Sequence, residues 1–557
     1  MGAFARWRRK LRRQVTALPR RGRRAARTAI TYAEIGAAVR RDRDKRHDDA
    51  LRLLHDAARR SPADMRVARL RTQVLARTGQ LSDAVAEASR LAMAAPSGKN
   101  VRLQRSVQGR LVETDAGWRP SVPGPRPADR PGRLAEPVPG RVLYLAKESM
   151  PHRNNGYCTR THETLLAVRG AGRDPVAVTL PGFPPAADGE VRVGPISTVD
   201  AIDYHHVMPG AGQLSAVTWE EYVQLTTTTF ARQVARVRPQ VLHAGSGHRG
   251  YDLGVVGEAL SAWAGLPWIY EVRSFFETTW TADERYAEHA EYYRRRFAAE
   301  TRAMRAADAV VTLSGPMREE IVHGHGVPED KVFVIPNAVD LDRFQPRTRS
   351  AARRTELGLD GTFVLGYISN LDHFREGQEV LLAAAALLRR QGLPISVLLV
   401  GEGRRRAELE ARAAELGLGE AAVFAGPVPF DEVPDWYAQV DLFVVPRVPE
   451  RAGRMVSPMK PFEAMAMEVP LLVSDLPALV EIAGENLERA SIFAAGDAGS
   501  LAGAVAWLTD HPEEMAKRAA EAADWVRRER TWAGNGRAFD AVYTFAQQRY
   551  AERDPGC

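Results

Sequence analysis

The sequence predicts an α/β protein with two Rossmann-like domains in tandem, preceded by a short all-α repeat segment. Three observations predict this fold class: a 34-residue repeat near the N-terminus, a proline-rich stretch after it, and then short apolar runs that alternate with helical segments. With 557 residues, 45% hydrophobic and 26% charged, the chain can bury several large cores. The expected segments are a basic arm (1–30), a tetratricopeptide-like helical segment (31–99), a proline-rich linker (100–140), an N-terminal Rossmann-like domain (141–344), a C-terminal Rossmann-like domain (345–548) and a tail (549–557).

Composition excludes several classes of protein. The two cysteines, Cys158 and Cys557, provide neither a disulfide framework nor a cysteine-rich metal site. Apolar runs such as 380–388 have the length of a core helix and are too short to span a bilayer. The first thirty residues lack the continuous apolar core of a signal peptide. We therefore expect the protein in the cytoplasm.

The basic arm concentrates the positive charge of the chain. Residues 1–30 contain eleven arginines and lysines and no acid, a local charge of +11 against +8 for the whole chain. Phe4, Trp7 and Leu11 would share one face of a helix, which suits an anionic membrane surface at the inner face of the plasma membrane. A solvated tail is the equal alternative. Nucleic acid ranks third, and we expect no such partner, because no recognition motif accompanies the charge.

The segment after the arm repeats with a period of 34 residues. Asp49-Ala50 recurs as Asp83-Ala84, and Pro62 recurs as Pro96. This period is typical of tetratricopeptide repeats, in which helix pairs stack. The expected helices span 50–60, 66–77 and 82–94. Such a short array must pack on another part of the chain or on a second copy, and 32–96 could recruit a protein partner; an ordinary helical hairpin without partner binding is the alternative.

A linker and two series of strands follow. Seven prolines between Pro120 and Pro139 favour an extended connection. The first series of expected strands spans 141–146, 175–179, 241–243, 268–272 and 309–313. The second series spans 363–369, 396–400, 422–425, 441–445 and 471–474. Helical segments between the strands indicate parallel βαβ units in both series.

Ligands of open α/β sheets bind beyond the carboxyl ends of the strands. After the first strand, Asn155-Gly156-Tyr157 leads into a helix whose free amides would attract an anion, although Asn-Gly is also an everyday turn. At the end of the fourth strand, Glu271 and Arg273 would share one face, as a structural ion pair or as substrate contacts.

A second anion site is predicted in the C-terminal domain. Ser457, Pro458 and Pro461 are helix-start signals, so Lys460 would lie in the first turn and hold a diphosphate. Glu463, in the same turns, would accept hydrogen bonds from a ribose.

Four motifs in order resemble those of the GT-B glycosyltransferases of family 4, in particular a subgroup found with bacterial polysaccharide export. They are Asn155-Gly-Tyr-Cys-Thr-Arg-Thr-His162, Tyr270-Glu-Val-Arg273, Pro336-Asn-Ala-Val-Asp340 and Ser457-Pro-Met-Lys-Pro-Phe-Glu-Ala-Met-Ala466. The resemblance covers about 141–548. It implies transfer of a sugar from a nucleotide-diphosphate sugar to a glycan or lipid-linked acceptor, with retention at the anomeric carbon and with neither a cofactor nor an obligatory metal.

The resemblance also assigns roles to residues of this sequence. The catalytic set would be Arg375, Lys460 and Glu463, with Glu463 as the glutamate of the donor-binding helix. Donor binding would use the same three residues and Gly156. The acceptor domain would line the site with Asn155, Tyr157, Arg160, His243, Glu271 and Arg273, although a lone buried histidine such as His243 is more often part of a core.

Two positions depart from the family pattern. Met455 stands where many members have a first glutamate, and Arg375-Glu376-Gly377 stands where many have a Lys-Gly pair. Arg375 or Lys460 would then supply the missing positive charge. The departures motivate a second hypothesis, a non-catalytic binding or scaffold module, and a nucleotide-sugar epimerase on the same architecture is a third.

Overall fold

The computed structural model describes residues 20–123, 136–185, 194–208, 214, 217–281 and 283–553. The described residues fall into two compact units. One unit lies within Met1–Ser121, Pro209–Thr228 and Phe276–Arg302, and the other within Val122–Met208, Thr229–Phe275 and Ala303–Cys557. Most of the predicted basic arm, and the central part of the predicted linker, lie outside the described residues. No helix in the described ranges is long and apolar enough to cross a membrane.

The N-terminal segment is entirely helical, as predicted. Its helices are α1 (Arg20–Arg43), α2 (His47–Arg60), α3 (Met65–Arg77), α4 (Leu81–Ala94) and α5 (Gly98–Glu113). Ala50 of α2 and Ala84 of α4, which the repeat equates, are both fully buried. Helix α1 runs across the expected boundary at residue 30, and α5 occupies the start of the expected linker, because the prolines begin only at Pro120. The tetratricopeptide assignment stays a prediction.

Later parts of the chain complete this helical unit. The carbonyl of Gly79, between α3 and α4, accepts a hydrogen bond from the amide of Tyr292 at 3.0 Å. The Ser82 hydroxyl donates to Glu291 at 2.6 Å. Gly79 has a φ of +71°, and a side chain there would collide with Trp280. The short array therefore packs on another part of its own chain, one of the two outcomes expected from its length.

The remaining helices up to the end of the first Rossmann-like domain are α6 (Gly156–Gly170), α7 (Trp219–Val237), α8 (Tyr251–Ala264), α9 (Glu284–Ala287), α10 (Glu291–Ala306) and α11 (Gly315–Glu319). The strands of this domain are β1 (Arg141–Ala146), β2 (Asp174–Thr179), β3 (Ile196–Val199), β4 (Ile202–His206), β5 (Val241–Gly245), β6 (Trp268–Glu271), β7 (Ala309–Thr312) and β8 (Val332–Val334). They form one sheet in the order β3-β4-β2-β1-β5-β6-β7-β8. All neighbours are parallel except β3, which runs antiparallel to β4.

The second Rossmann-like domain contains an all-parallel sheet. Its strands are β9 (Phe363–Ile368), β10 (Ile395–Val400), β11 (Ala422–Gly426), β12 (Leu442–Val445), β13 (Leu471–Ser474) and β14 (Ser491–Phe493), in the order β11-β10-β9-β12-β13-β14. Its helices are α12 (Ala351–Glu356), α13 (Gln378–Arg390), α14 (Arg406–Glu415), α15 (Val433–Tyr437), α16 (Arg451–Met455), α17 (Lys460–Ala466), α18 (Pro477–Ala483), α19 (Ala498–Asp510) and α20 (Pro512–Glu529). The two predicted α/β domains are thus confirmed.

The last helix, α21 (Trp532–Arg553), returns to the first Rossmann-like domain. Phe539, Val542 and Tyr543 are buried in one apolar cluster with Val142 of β1 and Ile269 of β6. The hydroxyl of Tyr543 also lies 2.8 Å from Nδ1 of His243 on β5. The core of the first sheet is therefore completed by the end of the chain.

Replacement of Phe539 by alanine tests whether α21 completes the core of the first sheet. Phe539 is fully buried, so the truncation should lower the free energy of unfolding by about 3–5 kcal/mol through lost burial and a residual cavity. Urea unfolding followed by circular dichroism measures the change. The exposed Gln548 of the same helix provides the control, since Gln548→Ala should change stability by less than about 0.5 kcal/mol. Equal losses in the two variants would contradict the packing of α21.

Candidate functional site

The candidate site lies where strand ends of both sheets and two helix starts meet. Because their strands are parallel, the carboxyl ends of β1, β5 and β6 share one edge of the first sheet, and those of β9 and β12 share one edge of the second. The amide of Asn337 donates to the carbonyl of Ser457 at 2.8 Å. A methyl group placed on Gly156, the first residue of α6, would lie 3.9 Å from the sulfur of Met459. The structure therefore brings Gly156 close to the start of α17.

A fully buried carboxylate, Glu271, lies behind this meeting point. Its oxygens accept hydrogen bonds from the hydroxyl of Tyr144 at 2.7 Å, from Arg160 at 2.8 Å and from Arg273 at 2.7 Å. Burial alone would raise the pKa of Glu271, but Arg273 and Arg160 hold the pKa well below its usual range. Glu271 is therefore ionised, and its hydrogen-bonding capacity is largely taken up by the protein itself.

The arginines extend this network to other elements. Arg160 of α6 also donates to the carbonyls of Ile335 at 2.8 Å and Pro336 at 3.0 Å, in the segment after β8. Arg273 donates to the carbonyl of Tyr157 at 3.0 Å. A single ion cluster thus ties β1, β6, the start of α6 and the segment that leads to the second sheet.

His243 joins the same network from β5. It is fully buried, with Nε2 3.4 Å from Glu271 and Nδ1 beside the hydroxyl of Tyr543. Burial lowers the pKa of His243 despite the neighbouring carboxylate, so the ring is neutral at pH 7. Because His243, Arg160, Glu271 and Arg273 are each at most 6% exposed, they support the site from below rather than line its surface. The structural interpretation of the Glu271–Arg273 pair accounts for this geometry.

Asn155 and Tyr157 lie nearer the surface. The side chain of Asn155 caps α6 by accepting from the amide of Cys158 at 2.9 Å and donates to Glu148 at 2.9 Å. The ring of Tyr157 has two cations close to it, Arg273 at 4.6 Å and Lys147 at 4.3 Å from its centroid. These two half-buried residues and the exposed Gly156 therefore form the rim of the first domain's site.

Lys147 and Glu148 were missed by the sequence reasoning. They follow β1 directly, and their charged groups lie 3.8 Å apart. Burial lowers the pKa of Lys147, although Glu148 and Asp252 oppose the change. Their position immediately after a buried strand was the available signal, since the carboxyl end of β1 is where a ligand would bind.

In the second domain, Lys460 and Glu463 lie together at the start of α17. The hydroxyl of Tyr437 donates to one carboxylate oxygen of Glu463 at 2.7 Å, and the other oxygen has no hydrogen-bond partner among the described residues. Burial raises the pKa of Glu463, while Lys460, Tyr437 and Arg343 oppose the rise. Helix α17 has only seven residues, so the partial positive charge of its own N-terminus is small. The ammonium of Lys460 is therefore the main positive charge at the N-terminus of α17.

Arg375 belongs to the turn after β9 and is part of a second ion cluster. Its Nε lies 3.6 Å from Oε1 of Glu376, and the same oxygen lies 3.3 Å from Arg447, which follows β12. Arg447 also donates to the carbonyl of Val456 at 2.8 Å, in the loop that leads to α17. The turn bearing Arg375 and the loop that precedes Lys460 are thus joined through Arg447, a residue for which the sequence predicted no role.

No three histidine, cysteine, aspartate or glutamate side chains of the described residues are grouped closely enough to hold a metal ion.

Two family models match the two α/β domains. Residues 155–338 match the glycosyl transferase 4-like domain, and residues 362–511 match the glycosyl transferases group 1. The chain therefore carries the two domains of a GT-B glycosyltransferase of the group 1 and 4-like type.

Curated relatives resemble parts of the chain. The 2-deoxystreptamine glucosyltransferase of Streptomyces kanamyceticus is 28% identical over 235 residues, which cover 42% of this chain and 59% of that protein. The lipopolysaccharide core biosynthesis mannosyltransferase LpsB of Rhizobium meliloti is 29% identical, over 43% of this chain and 66% of that protein. A D-inositol 3-phosphate glycosyltransferase of Streptomyces scabiei is 26% identical, over 60% and 77%. The match spans less than two thirds of the first of these relatives.

Solved structures show the same fold. The sucrose-phosphate synthase of Thermosynechococcus elongatus is 20% identical, with a TM-score of 0.58 over 72% of this chain and 98% of that chain. Anabaena HepE, solved with UDP and glucose, is 17% identical, with a TM-score of 0.54 over 72% and 99%. These likenesses confirm the expected GT-B fold.

Replacement of Glu271 by glutamine tests the role of the buried ion cluster. The change leaves Arg160 and Arg273 without their counter-charge, so the free energy of unfolding at pH 7 should fall by about 3–5 kcal/mol. Because the folded pKa of Glu271 is depressed, its contribution is present above about pH 4.5 and is lost as the pH falls through the folded pKa. The difference between wild type and variant should therefore narrow below about pH 4.5.

Urea unfolding at several pH values measures both effects. The exposed Glu356 of α12 provides a matched control, since Glu356→Gln should leave stability nearly unchanged. A Glu271→Gln variant as stable as wild type at pH 7 would show that the cluster does not hold these elements together.

Proposed function

We propose that the protein is a glycosyltransferase that moves a sugar from a nucleotide-diphosphate sugar to a glycan or lipid-linked acceptor in the synthesis of a cell-surface polysaccharide or glycoconjugate. The observation that carries the proposal is the arrangement at the second sheet. There, Glu376 pairs with both Arg375 and Arg447. Arg447 also binds the carbonyl of Val456 in the loop before Lys460, and Glu463 lies in the same first turns as Lys460. Two cations beside a hydrogen-bond acceptor suit a diphosphate and a ribose.

The charges define how the donor would be used. As the bond between the anomeric carbon and the diphosphate oxygen breaks, negative charge grows on the leaving group and the sugar becomes oxocarbenium-like. Arg375 and Lys460 stabilise that charge without an obligatory metal. The acceptor hydroxyl forms the new bond on the same face and passes its proton to the departing diphosphate oxygen, which gives retention.

The first domain would bind the acceptor. Asn155, Gly156 and Tyr157 form its rim, and Lys147 and Glu148 add a cation and an acceptor for sugar hydroxyls. The buried cluster around Glu271 holds the start of α6, so the rim keeps its position within the first domain. Movement about the segment after Asn337 would open and close the site.

Two other functions remain as outcomes of the test. Met455 and Glu376 favour a binding or scaffold module, which would bind a nucleotide diphosphate but transfer nothing. An epimerase would change the donor sugar in the absence of any acceptor. Two of the similar proteins are a glucosyltransferase and a mannosyltransferase, which favours transfer over both alternatives.

Titration calorimetry with uridine, guanosine and adenosine diphosphates and their sugars tests donor binding. UDP is the first candidate, because HepE was solved with it. Lys460→Ala should weaken binding of the preferred nucleotide by roughly 10–100-fold, through the loss of a charge-assisted contact. Glu463→Ala should weaken binding of nucleosides but have little effect on binding of inorganic pyrophosphate, which has no ribose.

Lys517→Ala, at an exposed lysine of α20, is the matched control and should bind as the wild type does. Binding that survives Lys460→Ala unchanged would contradict the donor site. Binding without transfer, in the presence of membrane-derived acceptors, would favour the scaffold function. We expect sugar transfer to persist in EDTA, because the proposed mechanism needs no metal ion.

We also propose that the basic arm holds the enzyme on an anionic membrane surface, near a lipid-linked acceptor. Deletion of residues 1–19 removes six cations and leaves α1, which begins at Arg20. The deletion should reduce co-sedimentation with vesicles containing phosphatidylserine, but not with neutral phosphatidylcholine vesicles. Equal sedimentation of the two proteins with anionic vesicles would contradict this role.

A further inference from the structure

Glu376 is a buried carboxylate among the cations of the candidate donor site. One of its oxygens faces both Arg447, at 3.3 Å, and Arg375, at 3.6 Å. The other accepts a hydrogen bond from the hydroxyl of Tyr367. Burial alone would raise the pKa of Glu376, but Arg447, Lys460 and Arg375 hold the pKa at about 2. The carboxylate is therefore negative at every physiological pH.

The backbone fixes this carboxylate in place. Gly377, the next residue, has a φ of +71°, and it packs so closely on the carbonyl of Pro446 that no side chain could be accommodated. The amide of Val448 donates to the carbonyl of Arg375 at 3.1 Å. The turn after β9 is thus held against the end of β12 on both sides of Glu376, and the carboxylate itself is held by Tyr367 and Arg447.

A fixed negative charge in this position has two opposing effects. It permits Arg375, Arg447 and Lys460 to lie near one another without mutual repulsion. It also repels any second anion that the same cations attract, and the repulsion is strong because Glu376 is 7% exposed and water screens it little.

We propose that Glu376 is a built-in electrostatic competitor of the donor diphosphate, which weakens the binding of nucleoside diphosphates at Arg375 and Lys460. The inference rests on the proposed function and adds to it a determinant of donor affinity and of product release. A competitor of this kind speeds the departure of the nucleoside diphosphate after transfer. A purely structural ion pair would behave differently, because its loss would loosen Arg447 and leave diphosphate binding equal or weaker.

Glutamine at position 376 separates the two roles. It keeps the shape and an oxygen that can accept from Tyr367 or Arg447, but it removes the charge. Calorimetric titration of the full chain with UDP, GDP, ADP and inorganic pyrophosphate should show about tenfold tighter binding by Glu376→Gln. Its affinity should also fall more steeply with salt, since one more cationic charge is available to the ligand.

Three further variants make the comparison specific. Glu376→Thr also removes the charge and should tighten binding, which provides a second neutral variant if the glutamine variant is unstable. Glu376→Asp keeps the charge and should bind more weakly than either neutral variant. Glu420 is an exposed acid just before β11, so it lies at the amino ends of the strands, away from the carboxyl ends that form the site. Glu420→Gln should leave binding unchanged. Thermal unfolding of each variant establishes that it is folded.

The outcomes distinguish this inference from the proposed function. If the wild type binds a nucleoside diphosphate and the folded neutral variants bind it equally or more weakly, the competitor role is wrong and the proposed function stands. If the wild type binds no diphosphate but a neutral variant does, the competitor role stands and donor use by the natural chain is contradicted. If neither binds UDP, GDP, ADP or pyrophosphate, both proposals are wrong.

Discussion

The ionised carboxylate of Glu271 is the interaction on which the geometry of the candidate site depends. It lies at the end of β6 and is held by Tyr144 from β1, by Arg160 from α6 and by Arg273. A buried charge of this kind is stable only because its partners are in place. Since Arg160 also binds the carbonyls that precede Asn337, the same cluster positions the start of α6 and the connection to the second sheet.

The two domains use buried carboxylates in opposite ways. Glu271 is surrounded so completely that it serves as a structural anchor beneath the surface. Glu376 is also buried, but its cations include Arg375 and Lys460, which are partly exposed. These cations remain available to a second anion, and the strength of that second interaction depends on how much of their charge Glu376 already neutralises. The Glu271 cluster therefore fixes the geometry of the site, and the Glu376 cluster is proposed to set the affinity for the donor diphosphate.

Much of the fold could be predicted from the sequence because strands buried on both faces read as continuous apolar runs. Strand β1 was predicted with its observed bounds, and β10 within one residue. Strand β4, Ile202–His206, was missed because it ends in polar residues, and β8 and β14 were missed because each has only three residues. The helical N-terminal segment was predictable because its 34-residue repeat is visible in the sequence itself.

The site was less predictable than the fold. Lys460 and Glu463 lie within one helical turn, so their proximity followed from local sequence. The Glu271 cluster joins residues more than one hundred positions apart in the sequence. No local pattern indicates that Arg160 would bind the Glu271 carboxylate or that this carboxylate would be buried. Arg447 likewise gained a role only from the meeting of two loops at the end of β12.

The donor site is tested most directly by a crystal structure of the full chain with UDP, or with whichever nucleoside diphosphate it prefers. We expect the diphosphate within hydrogen-bonding distance of Lys460 and Arg375, and a ribose hydroxyl on the second carboxylate oxygen of Glu463. A nucleotide bound elsewhere, with Lys460 and Glu463 untouched, would contradict the proposed donor site.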